Sequence, residues 1–441
     1  MSLPKVLIIG QPFTNNSGGG ITQSNLFGGW DKDKIAVVCT SHMFNNLNTD
    51  LCDTYYLLGN EEYKWVFPLN LIQRSTASGG VKLDAGKANT VSSTPLGNIK
   101  VPLRARLINN YFYPFLEYAG LYHCISKIVL SDKFRKWLDE YNADTIYAQA
   151  SSRETVLFCI AVQEYTKKPM VFHMMDDWPS TISEKGPFKK FWRNNIDKHF
   201  RRLQERSTVL LSISDFMAQE YKRRYGGKDW VTFHNPIDVG FWKSHQRNNY
   251  QLNGSPALLY AGRIGLGITA SLETIAKAID QMNSRQEKQL QFVLQTEQLP
   301  EWVSNYKCVK HKSMVPYKEL PKVFAEADLL ILPYDFSDES IKFIRYSMPT
   351  KAPEYMMSGT PIIVYAPEVT AIVKDAEKNG WAKLVTEHNV EELSKAIEQL
   401  FTSEAERKAI AANAIAIAET KFNAVTVRNR FRDIIASMVQ R

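Results

Sequence analysis

Short apolar runs alternate with stretches of helical spacing along nearly the whole chain. Strands are predicted at Val6–Ile9, Lys34–Cys39, Asp144–Ala148, from Met170, from Val209 to the serines at 212 and 214, and at Trp230, Ala257–Ala261, Gln291–Leu294, Ala327–Pro333 and Ile362–Tyr365. These runs are continuously apolar rather than alternating, as in parallel strands covered on both faces. Between them, helical periodicity appears at Ile125–Tyr141, where Phe134, Trp137 and Leu138 form one stripe, and at Phe158–Tyr165, Phe188–Leu203, Phe216–Tyr225, Ala270–Met282, Tyr317–Ala325 and Val390–Leu400. A long helical tail, Glu404–Met438, closes the chain. Strand and helix in regular alternation predict an α/β fold. At 441 residues the chain exceeds one ordinary core, and length alone suggests about two to three domains. The polar run Ser244–Ser255 reads as a linker. The polar stretch 73–100 is long for a connection inside a domain, which points to a mobile or functional loop.

Candidate chemistry gathers where strands end. After the first strand come Gly18, Gly19 and Gly20, so that backbone N–H groups can approach a phosphate or sugar closely; a plain surface turn has the same pattern. The strand from Met170 ends in His173, Asp176 and Asp177. Titratable groups at the carboxyl end of a parallel strand are functional candidates. A buried structural histidine with Asp177 capping the next helix is the alternative. Ala257–Ala261 runs into Gly262 and Arg263, a forked cation beside a glycine-rich turn. The densest stretch is Ser347–Tyr365. Pro349 and Thr350 resemble a helix entry whose free N–H groups attract an anion. Lys351 adds a positive charge where it weakens an isolated helix, Glu354 follows on the same turn, and Gly359 with Pro361 ends the helix before a buried strand. An ordinary turn with a solvated lysine reads the same way locally.

Composition narrows the partners. Hydrophobic residues make up 44% and charged residues 23%, the proportions of a globular protein. A net charge of +8 favours an anionic partner without naming it. No zinc-finger spacing or aromatic RNA-binding run is present, which argues against nucleic acid. The apolar opening is too short for a signal peptide, and no run approaches the ~20 residues of a membrane span. Five cysteines without a C-x-x-C pair read as free thiols in a reducing cytoplasm, with no metal site expected.

The run Pro349-Thr350-Lys351 with Glu354-Tyr355 and Gly359-x-Pro361, together with Gly262-Arg263 and the His173 to Trp178 stretch, resembles the GT-B retaining glycosyltransferases of the group 1, family 4-like class. The resemblance implies two Rossmann-like parallel-sheet domains facing a cleft. Residues 1–243 would form the acceptor domain, joined by a returning helix over 422–441, and residues 244–421 the donor-nucleotide domain. It implies a nucleotide-sugar donor held by Gly19, Gly20, Gly262, Arg263, Thr350, Lys351 and Glu354, with Glu354 on the ribose. His173, Asp177, Arg263 and Lys351 would serve the reaction, with no cofactor and no required metal. The sequence departs from the family pattern at two points. Tyr346 stands where the commoner branch has a second glutamate, and Ile268 where a lysine usually follows the arginine, so that Lys351 or Arg345 would supply the charge.

The acceptor implied is a glycan or a lipid-linked saccharide, in surface polysaccharide synthesis. The helix over residues 188–203, apolar on one stripe and basic elsewhere, would suit contact with the inner face of a membrane; it would equally pack its stripe on a sheet. A sugar-nucleotide epimerase of the same architecture, or a binding protein without turnover on a degenerate version of the fold, are the alternatives.

Overall fold

The computed structural model describes residues 3–14, 18–44, 47–67, 69–73, 75–83, 108–182, 186–285, 287 and 289–439. The chain divides into two compact units, one of residues 1–233 with 428–441 and one of residues 234–427.

The first unit is built on an eight-stranded sheet. Its strands are β1 (Val6–Ile9), β2 (Ile35–Thr40), β3 (Thr54–Leu58), β5 (Gly79–Lys82), β7 (Thr145–Ala148), β8 (Met170–Met174), β9 (Val209–Ser212) and β10 (Trp230–Thr232), in the order β10-β9-β8-β7-β1-β2-β3-β5. All neighbours are parallel except the β3–β5 edge pair. A separate antiparallel pair joins β4 (Tyr63–Trp65) to β6 (Ser126–Ile128). The central strands β1, β7 and β8 are buried at every position, as their uninterrupted apolar runs require.

Two expectations change here. The helix predicted over Ile125–Tyr141 starts only at Asp132, because the Ser131 side chain accepts the Phe134 N–H and caps it there, and the residues before it pair as β6. Of the polar stretch 73–100, residues 79–82 form the edge strand β5; positions 84–100 lie outside the described residues. The helix Lys189–Arg206 buries most of the predicted stripe, with Trp192, Ile196, Phe200 and Leu203 facing inward, while Phe188 at its N-cap is exposed. Phe200 packs edge-on against Phe172 of β8, so this part of the stripe belongs to the core of the unit.

The second unit has six parallel strands, β11 (Ala257–Ala261), β12 (Gln291–Gln295), β13 (Val309–Lys312), β14 (Leu329–Pro333), β15 (Ile362–Tyr365) and β16 (Lys383–Val385), in the order β13-β12-β11-β14-β15-β16. The order reverses between β11 and β14. In an open parallel sheet that reversal leaves a crevice at the carboxyl ends of the two strands, where ligands bind.

The first joint falls after Phe233, ten residues before the expected 243/244, for a packing reason. Trp242 is fully buried inside the second unit, stacked on Phe324 at 5.6 Å, with its indole N–H donating to the Tyr317 hydroxyl. The expected linker 244–255 is strapped to the same unit. Arg247 N–H donates to the Ser358 carbonyl, and the Arg247 guanidinium meets the buried Asp328 carboxylate, which also accepts from the N–H groups of Asn253 and Ala257. Polar composition marked the segment as loop, but its polar groups are used internally. The tail is two helices, Glu404–Lys421 and Ala424–Val439. At their junction Ile237 N–H donates to the Phe422 carbonyl and Ala424 N–H donates to the Ile237 carbonyl.

Candidate functional site

The reversal point of the second sheet is where the motif residues come together. β11 ends at Ala261, and its carbonyl accepts the Lys351 ammonium at 2.6 Å. Tyr355, from the same short helix, donates its hydroxyl to that carbonyl and accepts the Ala261 N–H at 2.9 Å. Lys351 Nζ also lies 4.4 Å above the Tyr260 ring, a cation–π contact. Gly262 follows with φ +154, and a Cβ there would fall on the Lys351 Nζ. Only glycine satisfies both the backbone and the lysine. Arg263 is the exposed next residue, its carbonyl held by the Tyr260 hydroxyl.

Helix Ala352–Met357 carries the rest. Thr350 does not cap it: the N-cap position is Lys351 and no side-chain cap bond forms. The Thr350 carbonyl instead accepts from the Asn235 amide at 2.9 Å. Pro353 has no N–H, and the Ala352 N–H is taken by the Pro349 carbonyl. Positive charge at this helix start therefore comes from Lys351 more than from free backbone donors. Glu354, the acid on that turn, is buried, near Lys351 and the Tyr317 hydroxyl. Burial pushes its carboxyl up to about 7, opposed by the Lys351 charge and by Tyr317. Burial likewise pulls the Lys351 ammonium down to about 7, with Glu354 opposing and Arg263 adding. Both groups sit close to neutrality, and each is poised to charge when a partner of opposite demand arrives.

The departures from the family pattern are filled by packing. Ile268, at the start of helix Thr269–Asn283, and Tyr346 are both buried. Arg345 is exposed, its guanidinium over the Tyr346 ring. Asp335, beyond the end of β14, fixes the turn by accepting the Ser271 N–H and donating its own N–H to the Gly267 carbonyl.

In the first unit, Gly19 and Gly20 lie in the opening turn of helix Gly18–Leu26 after β1, with a Cβ at Gly19 excluded by the Gln11 amide oxygen. His173 is buried in β8, its Nδ1 2.6 Å from the Tyr147 hydroxyl, which in turn accepts from the Gln149 amide. Burial pushes the ring down to about 3, so it is neutral at physiological pH. Asp177 is enclosed elsewhere: it accepts from the Tyr221 hydroxyl at 2.6 Å, the Ser180 hydroxyl at 2.7 Å and both terminal nitrogens of Arg224 at 3.1 Å. The structure therefore gathers Gly262, Arg263, Lys351 and Glu354 but does not join His173 to Asp177. Tyr260, Tyr317 and Tyr355 hold the site together; only Tyr355 was marked in the sequence, as part of the motif. Among the described residues no group of three or more His, Cys, Asp or Glu side chains is placed to hold a metal ion.

Two parallel α/β units in this order define the GT-B class, and solved structures of that class superpose on the chain from end to end. Sucrose-phosphate synthase from Thermosynechococcus elongatus is 12% identical over 98% of each chain, with a TM-score of 0.60. Anabaena Alr3699/HepE, solved with UDP and glucose, is 14% identical over 98% of this chain and all of the other, also at 0.60. Trehalose-6-phosphate from Escherichia coli, bound with UDP-2-fluoro glucose, is 11% identical over 99% of each chain at 0.57. More specifically, residues 255–403 match the family model Glyco_trans_1_4, Glycosyl transferases group 1. The matched segment, similar to a group 1 glycosyltransferase domain, contains Gly262, Arg263, Thr350, Lys351 and Glu354. No curated protein matches the chain.

Proposed function

We propose that the protein moves a sugar, with retention of configuration, from a nucleoside diphosphate sugar to a glycan or lipid-linked saccharide, in surface polysaccharide synthesis on the cytoplasmic side of a membrane. The observation that carries this reading is the half-buried Lys351 ammonium, fixed on the Ala261 carbonyl beside a residue that only glycine can occupy. A diphosphate at the reversal point would meet Lys351 and the Arg263 fork, with Glu354 accepting ribose hydroxyls. As the sugar–phosphate bond breaks, charge grows on the leaving diphosphate, and fixed cations there lower the barrier more than any other contribution open to the site. The departing phosphate takes the acceptor proton on the same face, so no protein nucleophile and no metal are required. The neighbours solved with UDP and a glucose compound support a donor of this class.

A thermal-shift panel of UDP, GDP, ADP and their sugar conjugates, with and without magnesium, tests it. A ligand at 100 times its dissociation constant adds about 2.7 kcal/mol. The expected result is a selective shift by one nucleoside diphosphate series without magnesium; no shift with any of them would refute the donor site. Burial of Tyr346 and Ile268, where the family pattern has charge, favours one second reading, binding without turnover. It predicts the shift but no sugar transfer.

The site also sets a pH dependence. Donor diphosphate favours protonated Lys351, so above about pH 7 binding takes up a proton and weakens as pH rises. Ribose hydroxyls favour ionised Glu354, so below about pH 7 binding releases a proton and weakens as pH falls. Affinity is expected to peak near neutrality. Calorimetric titrations across this range, in buffers of different ionisation heat, read both the profile and the proton count; a flat profile would detach these two side chains from the ligand.

A further inference from the structure

Residues 111–122 are unusually rich in rings, with Tyr or Phe at positions 111, 112, 113, 115, 118 and 122 and one acid, Glu117. They form a short helix, Tyr113–Tyr118, with Pro114 in its first turn and Leu116 as its single buried residue. One inward anchor on so short a helix sends the other side chains outward. Tyr111 is 70% exposed, and Phe115 and Tyr118 are 61% exposed. The segment is nevertheless fixed in place. The Trp192 indole donates to the Gly120 carbonyl at 2.6 Å, and the buried His123 ring packs 5.1 Å from the same indole. Gly120, at φ +67, lies against Phe188 so closely that a Cβ would come within 2.8 Å of the phenylalanine Cβ. The exposed ring of Phe188 thereby joins the aromatic segment, and the exposed Phe191 ring packs 5.1 Å from that of Trp192.

Exposed rings gathered in one segment mark an interaction site more often than rings scattered singly do. We propose that this surface of the first unit seats on an anionic lipid bilayer, with the rings of 111–122, Phe188 and Phe191 entering the headgroup region and the first turn of helix Lys189–Arg206 lying over it. Charge selects the occupant. Lys189 and Lys190 are exposed and make no ion pair among the described residues, and Arg193 is exposed one turn on. Tyrosine rings flanked by lysines match the interfacial layer, where an amphipathic ring meets both acyl chain and headgroup, and basic side chains meet anionic lipid. The buried stripe of the same helix takes no part. The proposal deepens the reading of a lipid-linked acceptor, since it would hold the protein where that acceptor lies, but its test does not depend on turnover.

The full chain would be floated with phosphatidylcholine vesicles containing phosphatidylglycerol, and with phosphatidylcholine alone. Two double variants would be compared, F115S with Y118S and K189Q with K190Q, all at exposed positions outside the donor site. The expected result is flotation with the anionic vesicles only, reduced on the order of tenfold or more by loss of the rings and roughly twentyfold at low salt by loss of the two lysines. Equal flotation of the variants, or none by the parent protein, would overturn the proposal. So would a concentration-dependent dimer in sedimentation that F115S with Y118S abolishes, which would assign the surface to a second copy. The nucleotide thermal shift is read on the same samples: if it persists while flotation fails, only the membrane surface is lost, and if it is absent while flotation succeeds, only the donor site is.

Discussion

Replacing Lys351 by methionine is expected to abolish the nucleotide thermal shift while leaving the unliganded protein as stable as before or more so. The two effects separate because the ammonium costs the empty site and serves the filled one. Burial holds its pKa near 7, well below the ordinary lysine value, so the charged form is disfavoured in the folded protein. Between about pH 7 and the unfolded lysine value of 10.5 the unfolded chain binds more protons, and stability rises with pH across that window. Methionine keeps the stem over the Tyr260 ring and removes the charge, and Tyr355 still reaches the Ala261 carbonyl. The gain in melting temperature should therefore be largest below pH 7. With donor present the sign reverses, because a desolvated cation on a diphosphate contributes about 2–5 kcal/mol. Transfer should fall by about a hundredfold or more. An unchanged donor shift in the variant would remove Lys351 from the site.

The largest effect on folding is expected from Asp177→Ala. The carboxylate is 3% exposed and holds a buried tyrosine hydroxyl, a serine and both ends of a guanidinium. Its loss strands Tyr221 in the core and takes from Arg224 its most buried partner, leaving Glu220 and the Ser180 hydroxyl among its contacts. Removing one partner of a buried pair costs about 3–5 kcal/mol, and the partial exposure of Arg224 puts this case near the lower end. Urea unfolding would show it as a lower midpoint at unchanged slope. Asp177→Asn should recover part of that loss by keeping the Tyr221 contact. If the asparagine variant instead folds like the parent but transfers no sugar, the carboxylate acts on the reaction and not on the fold.

Much of the architecture was legible because parallel strands buried on both faces leave a plain mark, the uninterrupted apolar run, as in Val6–Ile9 and Ile362–Tyr365. Ser126–Ile128 left no such mark: it belongs to a half-buried antiparallel pair, and Ile125 and Ile128 fall at a spacing that also suits a helix. The donor side of the site was legible for a similar reason, since Lys351 and Glu354 lie within one turn of each other and Gly262 and Arg263 within another. What could not be read was the contact between the two turns, which spans 90 residues and runs through the carbonyl of a plain strand residue, Ala261. Asp177 shows the converse. Its place at a strand end suggested chemistry, yet its partners, Tyr221 and Arg224, come from a helix 44 and 47 residues later. A carboxylate's position can be read along the chain; the donors that occupy it are chosen by the fold.

The anchoring of Trp242 and the strap behind it decide how the protein can be cut. A donor half begun at residue 244, where the polar run suggested a boundary, would lack the indole that fills the space between Tyr317 and Phe324. It would also start on the strap that carries Arg247 to Asp328. A fragment of residues 234–427 keeps the indole, the strap and the Ile237 bonds to Phe422 and Ala424. For crystallography or ligand screening on the nucleotide half alone, ten residues at the front decide between a closed core and an open one.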